Sequence, residues 1–258
     1  MSATSTVTTL PLHLLGPADD ALLTAQRLGE WITRAPTLEE DVALANIALD
    51  QLGAARTLFQ LLAAREGAGR TEDDLAYWRG PDEFRNTCLV ERERGDFAVT
   101  MVRLLLLTTH QHAHWSALCG STDSDVAALA ARCVKEVGYH VDHAAGWVDR
   151  LGDGTEESHR RTQTALDAEW AWAAELTDGS GTDPEAIASG AAVDVADLRE
   201  PVLNRLRAVM HGAGLAEPTD PVGGPARPRG RRGEHTAALA PLLAEMQEVA
   251  RAHPGATW

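Results

Sequence analysis

Residues 97–122, FAVTMVRLLLLTTHQHAHWSALCGST, contain no aspartate or glutamate and read as one long, largely apolar helix. Such a helix belongs inside a bundle of other helices, because too much of its circumference is apolar for it to lie on a surface. It also bars the segment from giving a carboxylate to anything at the bundle centre.

The neighbouring segments carry the matching period. Pro17 leads into ADDALLTAQRLGEWITR, where Leu22, Ala25, Leu28 and Ile32 mark one face, with the acidic pair Asp19 and Asp20 expected in the first turn. Pro36 stops this helix, and Thr37 with Glu40 three residues on gives a capping-box pattern for a second, which keeps its period to Gly67. Residues 70–93 are irregular and read as a long crossover. Asp96 can start the apolar helix. Asp123 or Ser124 can cap a fourth, whose stripe includes Leu129, Cys133, Val137, His140 and Val141 and ends at Gly152-Asp153-Gly154. Further helices are expected over 156–177, 194–211 and the C-terminal 25 or so residues, with an aperiodic Gly/Pro/Arg segment between the last two. The expectation is an all-α chain forming one domain over residues 1–258. Its core is a four-helix bundle over about 17–151, and the additional C-terminal helices and Arg/Pro/Gly-rich segment cover about 155–258.

Charge narrows the partners. A net charge of −15 and a pI near 5.0 argue against sequence-independent binding to nucleic acid or anionic lipid. Cys88, Cys119 and Cys133 are odd in number, widely spaced and without a Cys-x-x-Cys pair, so they read as small buried hydrophobes. The N-terminus lacks a basic, then apolar, leader pattern, and a cytoplasmic protein is expected.

A buried two-metal centre in such a bundle needs a glutamate from each of two helices and a Glu-x-x-His pair from each of the others. The chain has one Glu-x-x-His match, Glu156 to His159, in the first turn of a later helix, where acidic residues are ordinary electrostatics. On the fourth helix Glu136 is followed three residues later by Tyr139, with His140 and His143 further along the same edge. These three suit one divalent ion, or a hydrogen-bonded polar cluster in the core or at a subunit contact. The second helix offers Asp50, with Gly53 where a paired histidine would stand, and the first offers Glu30. Glu30, Asp50, Glu136, His140 and His143 are thus vestigial candidates at most, and no catalytic or metal-binding residue is assigned. In the run HQHAH only His110 and His114 share a helix face, and they are expected at the surface. Arg227, Arg229, Arg231 and Arg232 form the one dense basic patch. It could grip the phosphates of a coenzyme A ester or an acidic partner surface, or be a solvated linker.

The blocks ADDALLTAQRLGEW, LEEDVALANIALDQLGAAR, EDDLAYWRGPDEFRNTCLVE, GDFAVTMVR, KEVGYHVDHAAGWVDRLGDGT and GEHTAALAPLLAEMQEVARAHPGATW, in this order, resemble the structural C subunits of ring-1,2-phenylacetyl-CoA epoxidases. The resemblance implies a ferritin-like subunit without a di-iron site of its own. It implies a homologous catalytic A subunit that carries the irons, a small B subunit, and a reductase with flavin and iron-sulfur cofactors, assembled as a hetero-oligomer. The chain departs from the family pattern at Thr108 and Gln111, in place of an aspartate and a histidine, and at Ala237 and Ala238, in place of Glu-His. The alternatives are an active metal-dependent oxygenase using Glu136, His140 and His143, and a helical adaptor of another kind.

Overall fold

The computed structural model describes residues 10–179, 181–219 and 227–256. Among these there is no strand, and ten α-helices follow in order: α1 Leu12–Gly29, α2 Leu38–Glu66, α3 Glu72–Tyr77, α4 Cys88–Glu91, α5 Phe97–Leu118, α6 Ser124–Gly152, α7 Glu156–Ala173, α8 Pro184–Ala188, α9 Arg199–Gly212 and α10 Leu239–Ala252. The architecture is a ferritin-like helical bundle. α1 and α2 form one hairpin and α5 and α6 a second, with α2 meeting α6 across the bundle. α3 and α4 sit within the crossover, while α7 and α9 cover α5 and α6 from outside. No helix of the described residues is long and apolar enough to cross a membrane.

Local chemistry sets most of the boundaries. The Asp96 side chain accepts from Val99 N–H to open α5, and Asp123 accepts from Asp125 and Val126 N–H to open α6. At α2 half of the expected capping box forms: Thr37 Oγ1 accepts from the Glu40 backbone N–H at 3.4 Å, whereas the Glu40 carboxylate turns to His143 instead. Gly67 closes α2 in the left-handed conformation, φ 65°, that a side chain would strain.

Three expectations need correction. α1 begins at Leu12, so Pro17 lies inside the helix and leaves the His13 carbonyl without its intrahelical donor. Asp19 and Asp20 are consequently mid-helix and fully buried rather than solvated first-turn acids. His110 and His114 are also buried, because the N-terminal turns of α1, the segment after α7 and Arg231 close over that side of α5, whose exposed positions are Ser116 and Ala117. Finally, Cys88 and Cys133 are buried as expected but Cys119, at the C-cap of α5, is exposed.

The hydrophobic core is continuous from Leu14 and Leu23 on α1, through Leu58, Met101, Leu105 and Val141, to Leu206 on α9 and Leu242 on α10. Burying it dominates the folding free energy at roughly 25 cal/mol per Å². The C-terminal helices therefore belong to the same core as the bundle.

Candidate functional site

A pair of buried amides joins the two hairpins. Gln51, near the middle of α2, and Gln111, on α5, are buried and interlock through their amides, each Nε2 donating to the other's Oε1 at 2.9 and 3.1 Å. Each partner satisfies the other, and neither is a ligand suited to iron. Gln111, where the resemblance implies a histidine, is thus one half of an amide clasp between the two hairpins. Thr108 turns back on its own helix, donating to the Leu104 carbonyl at 2.7 Å.

The remaining ligand candidates pair off at the α2–α6 groove and do not converge. His140 Nε2 lies 3.0 Å from Asp50 Oδ2, and His143 Nε2 lies 3.2 Å from Glu40 Oε2. Glu136 points to Arg132, 3.8 Å away, and its side chain is 32% exposed. Glu30 sits beyond the last turn of α1 and accepts from Arg27 at 2.6 Å. Burial lowers the His140 pKa against the pull of Asp50, which favours the neutral ring. The Glu156–His159 pair is also local, His159 Nδ1 lying 2.7 Å from the Gly152 carbonyl oxygen. Among the described residues the one group of three ligand types that comes together is Cys88, Glu91 and His235, outside the bundle. The donor set of the bundle therefore does not fit a bridged pair of irons.

The main polar feature is a buried network that sequence reading missed. The Arg79 guanidinium pairs with the Asp19 carboxylate while lying 4.1 Å from the centre of the Phe84 ring. Asp19 also accepts from the Arg85 backbone N–H at 2.8 Å, and Asp20 from Thr87 N–H at 2.7 Å. Arg231 pairs with Asp20 and donates to the Arg85 carbonyl at 2.7 Å. Burial pushes the Asp20 carboxyl up from its usual value, opposed by Arg231 and the Thr87 hydrogen bonds. Glu175 accepts from the backbone N–H groups of Cys88 and Arg231, and Glu169 receives Arg92 and Arg103 together. The crossover is thereby stitched to α1 on one side and to residues 227–236, a C-terminal strap, on the other. Gly230 permits the close approach, since a Cβ there would stand 1.9 Å from the Asn86 carbonyl oxygen.

The arginine run divides accordingly. Arg231 is an internal ion-pair partner and is not available to a phosphate, which corrects its expected place on a surface patch. Arg229 pairs with Asp178, and Arg227 lies over the Trp172 ring at 5.3 Å. With Arg199 these two arginines border a hollow of about 310 Å³, and Arg232 is exposed. Elsewhere His110 and His114 stack 5.7 Å apart and line a cavity of about 40 Å³ with His13, Glu175 and Arg231. Burial holds His110 well below its ordinary pKa, and burial with the nearby Arg231 brings His114 down to about 4.

A family model described as Phenylacetic acid catabolic protein matches residues 2–258. The chain belongs to this family. Within the curated proteins it is 39% identical over 249 residues to the C subunit of the 1,2-phenylacetyl-CoA epoxidase of Escherichia coli strain K12, an alignment covering 96% of this chain and 99% of that protein. Coverage over almost both full lengths includes the bundle, the crossover and the C-terminal strap, so the likeness extends to every element described above.

Proposed function

We propose that this chain is the non-catalytic structural subunit of a multicomponent phenylacetyl-CoA epoxidase in aerobic phenylacetate breakdown, docking on and supporting a homologous di-iron catalytic subunit. A small B subunit and a flavin and iron-sulfur reductase complete the assembly. The observation that carries this reading is the Gln51–Gln111 clasp in the buried space between the hairpins, with the carboxylates and imidazoles that could bind iron paired off at the α2–α6 groove. The fold retains its hairpins while its interior serves packing, which leaves the outer faces as the part through which it acts.

One outer face suits that task. Leu38, Val42, Leu49 and Leu52 are all exposed on α2, Leu38 by 75%, and with Ala45 they follow the alternating 4,3 spacing of a helix-packing seam. Tyr139, 78% exposed, stands on α6, the helix that borders α2 along the ion-paired groove. The α2 residues make a long apolar strip for a partner's helices, and Tyr139 adds an exposed aromatic on the neighbouring helix. Arg199 and Arg227, on the hollow whose Arg229 is taken up by Asp178, offer a place for an acidic group, either on the partner or on the coenzyme A ester it holds.

Co-expression with the di-iron subunit tests the reading. A complex that stays together through gel filtration is expected, and separate elution of the two chains refutes docking as the function.

A further inference from the structure

We propose that Cys88, Glu91 and His235 form a zinc site that fastens the crossover to the C-terminal strap. Each residue offers one ligand atom, and the three lie within 4.8 Å of one another in a buried position. Cys88 and Glu91 bracket the single turn of α4, and His235 arrives from the strap, 144 residues beyond Glu91. A thiolate, an imidazole and a carboxylate together suit Zn²⁺, whereas magnesium and calcium ask for an all-oxygen set.

The surroundings are those of a held ligand set. His235 Nε2 is 3.1 Å from the Phe84 carbonyl oxygen, the kind of outer hydrogen bond that fixes the ring and directs Nδ1 inward. The inward atom is the one at 2.7 Å from Glu91 Oε2. Asn86 Nδ2 donates to that same carboxylate oxygen at 2.8 Å, and the Thr236 backbone N–H holds the other. Cys88 Sγ lies 3.5 Å from the carbonyl oxygens of Pro228 and Glu234, either of which, or a water, stands ready for a fourth position. Zinc bonds of about 2.0–2.3 Å place tetrahedral ligands roughly 3.3–3.8 Å apart. The ion therefore parts Nδ1 from Oε2 by about 0.7 Å and draws the sulfur in, adjustments within reach of side-chain rotation.

Charge balances across the exchange. Without an ion the cluster is neutral when the thiol is protonated and an imidazolium faces the Glu91 carboxylate. With Zn²⁺ the thiol and the imidazolium each release one proton, and thiolate, neutral imidazole, carboxylate and a divalent ion again sum to zero. A buried region pays no net charge for binding, and the metal replaces two hydrogen bonds with coordination that ties together segments far apart in sequence.

Cobalt serves as the spectroscopic stand-in for zinc on the full-length protein, stripped with a chelator. The expected result is a thiolate-to-cobalt charge-transfer band with strong four-coordinate visible bands, saturating at one cobalt per chain and erased by added Zn²⁺. Cys88→Ser abolishes the charge-transfer band, and Asn86→Ala weakens binding about tenfold by freeing the Glu91 carboxylate. The Cys119→Ser/Cys133→Ser double variant leaves Cys88 as the sole thiol and retains the band whether or not Cys88→Ser folds. No charge-transfer band in the wild-type protein, or one lost in that double variant, overturns the site.

Discussion

Replacing Leu49 by aspartate isolates the apolar α2 strip from everything else in the molecule. Leu49 is 64% exposed, so its substitution removes little from the chain's own core, and the isolated protein should keep its stability within about 1 kcal/mol. In the complex the consequence is larger. Covering a leucine contributes about 1.5–3 kcal/mol when burial is complete, and the uncovered 64% leaves about 1–2 kcal/mol for the partner to supply. A carboxylate at the same place adds a desolvation cost of roughly 1–3 kcal/mol against an apolar neighbour. The sum, about 2–5 kcal/mol, weakens the dissociation constant by about 30- to 4000-fold at 1.4 kcal/mol per decade. Titration calorimetry against the di-iron subunit measures it, with melting of each isolated variant alongside. Val249→Asp, on α10 and 57% exposed, controls for a new surface charge outside the strip and should leave binding unchanged. Unaltered affinity of the Leu49→Asp chain, with its melting intact, refutes the α2 strip as the docking face.

Two further outcomes follow from the buried groups. Arg79→Ala leaves Asp19 as an uncompensated buried charge, which costs about 3–5 kcal/mol; a denaturation midpoint unchanged from the wild type would show that the pair is not buried as described. His114 takes a proton near 6.5 when unfolded but only near 4 when folded, so between those values the unfolded chain holds more protons. Stability should therefore fall as pH drops through that window, by about 3 kcal/mol in total at 1.36 kcal/mol per pH unit, with His110 acting in the same direction. His114→Gln should flatten the part of the pH profile due to this ring, as read by denaturant midpoints between pH 7 and 4, and an equally steep variant contradicts the assignment.

What could be read from the sequence was local. Asp96 and Asp123 cap the helices they precede because an N-cap acts on backbone N–H groups two or three residues away. The missing carboxylates of α5 and the single misplaced Glu-x-x-His match were likewise visible without a fold. The buried network was not. Asp19 finds Arg79 60 residues on, Asp20 finds Arg231 211 residues on, and no periodicity links such positions. The same distance hid the true setting of Arg231 within an apparently solvated basic run. His110 and His114 looked free because the groups that close over them, His13 on α1, Glu175 and Arg231, lie far away along the chain, and two amphipathic faces do not announce which will meet. Cys88, Glu91 and His235 form no recognisable spacing for the same reason. A hint lay in Gly230, a glycine among arginines, although only the fold shows that the Asn86 carbonyl needs its space.

The central claim is that the bundle of this chain serves packing and docking while the redox irons reside in its partner. Iron analysis of the chain, expressed alone in iron-supplied cells and purified, tests that most directly, with oxygen uptake on phenylacetyl-CoA and a reductant measured on the same sample. The account predicts well under one iron per chain and no uptake. Two irons per chain, with reductant-dependent oxygen consumption, would contradict it.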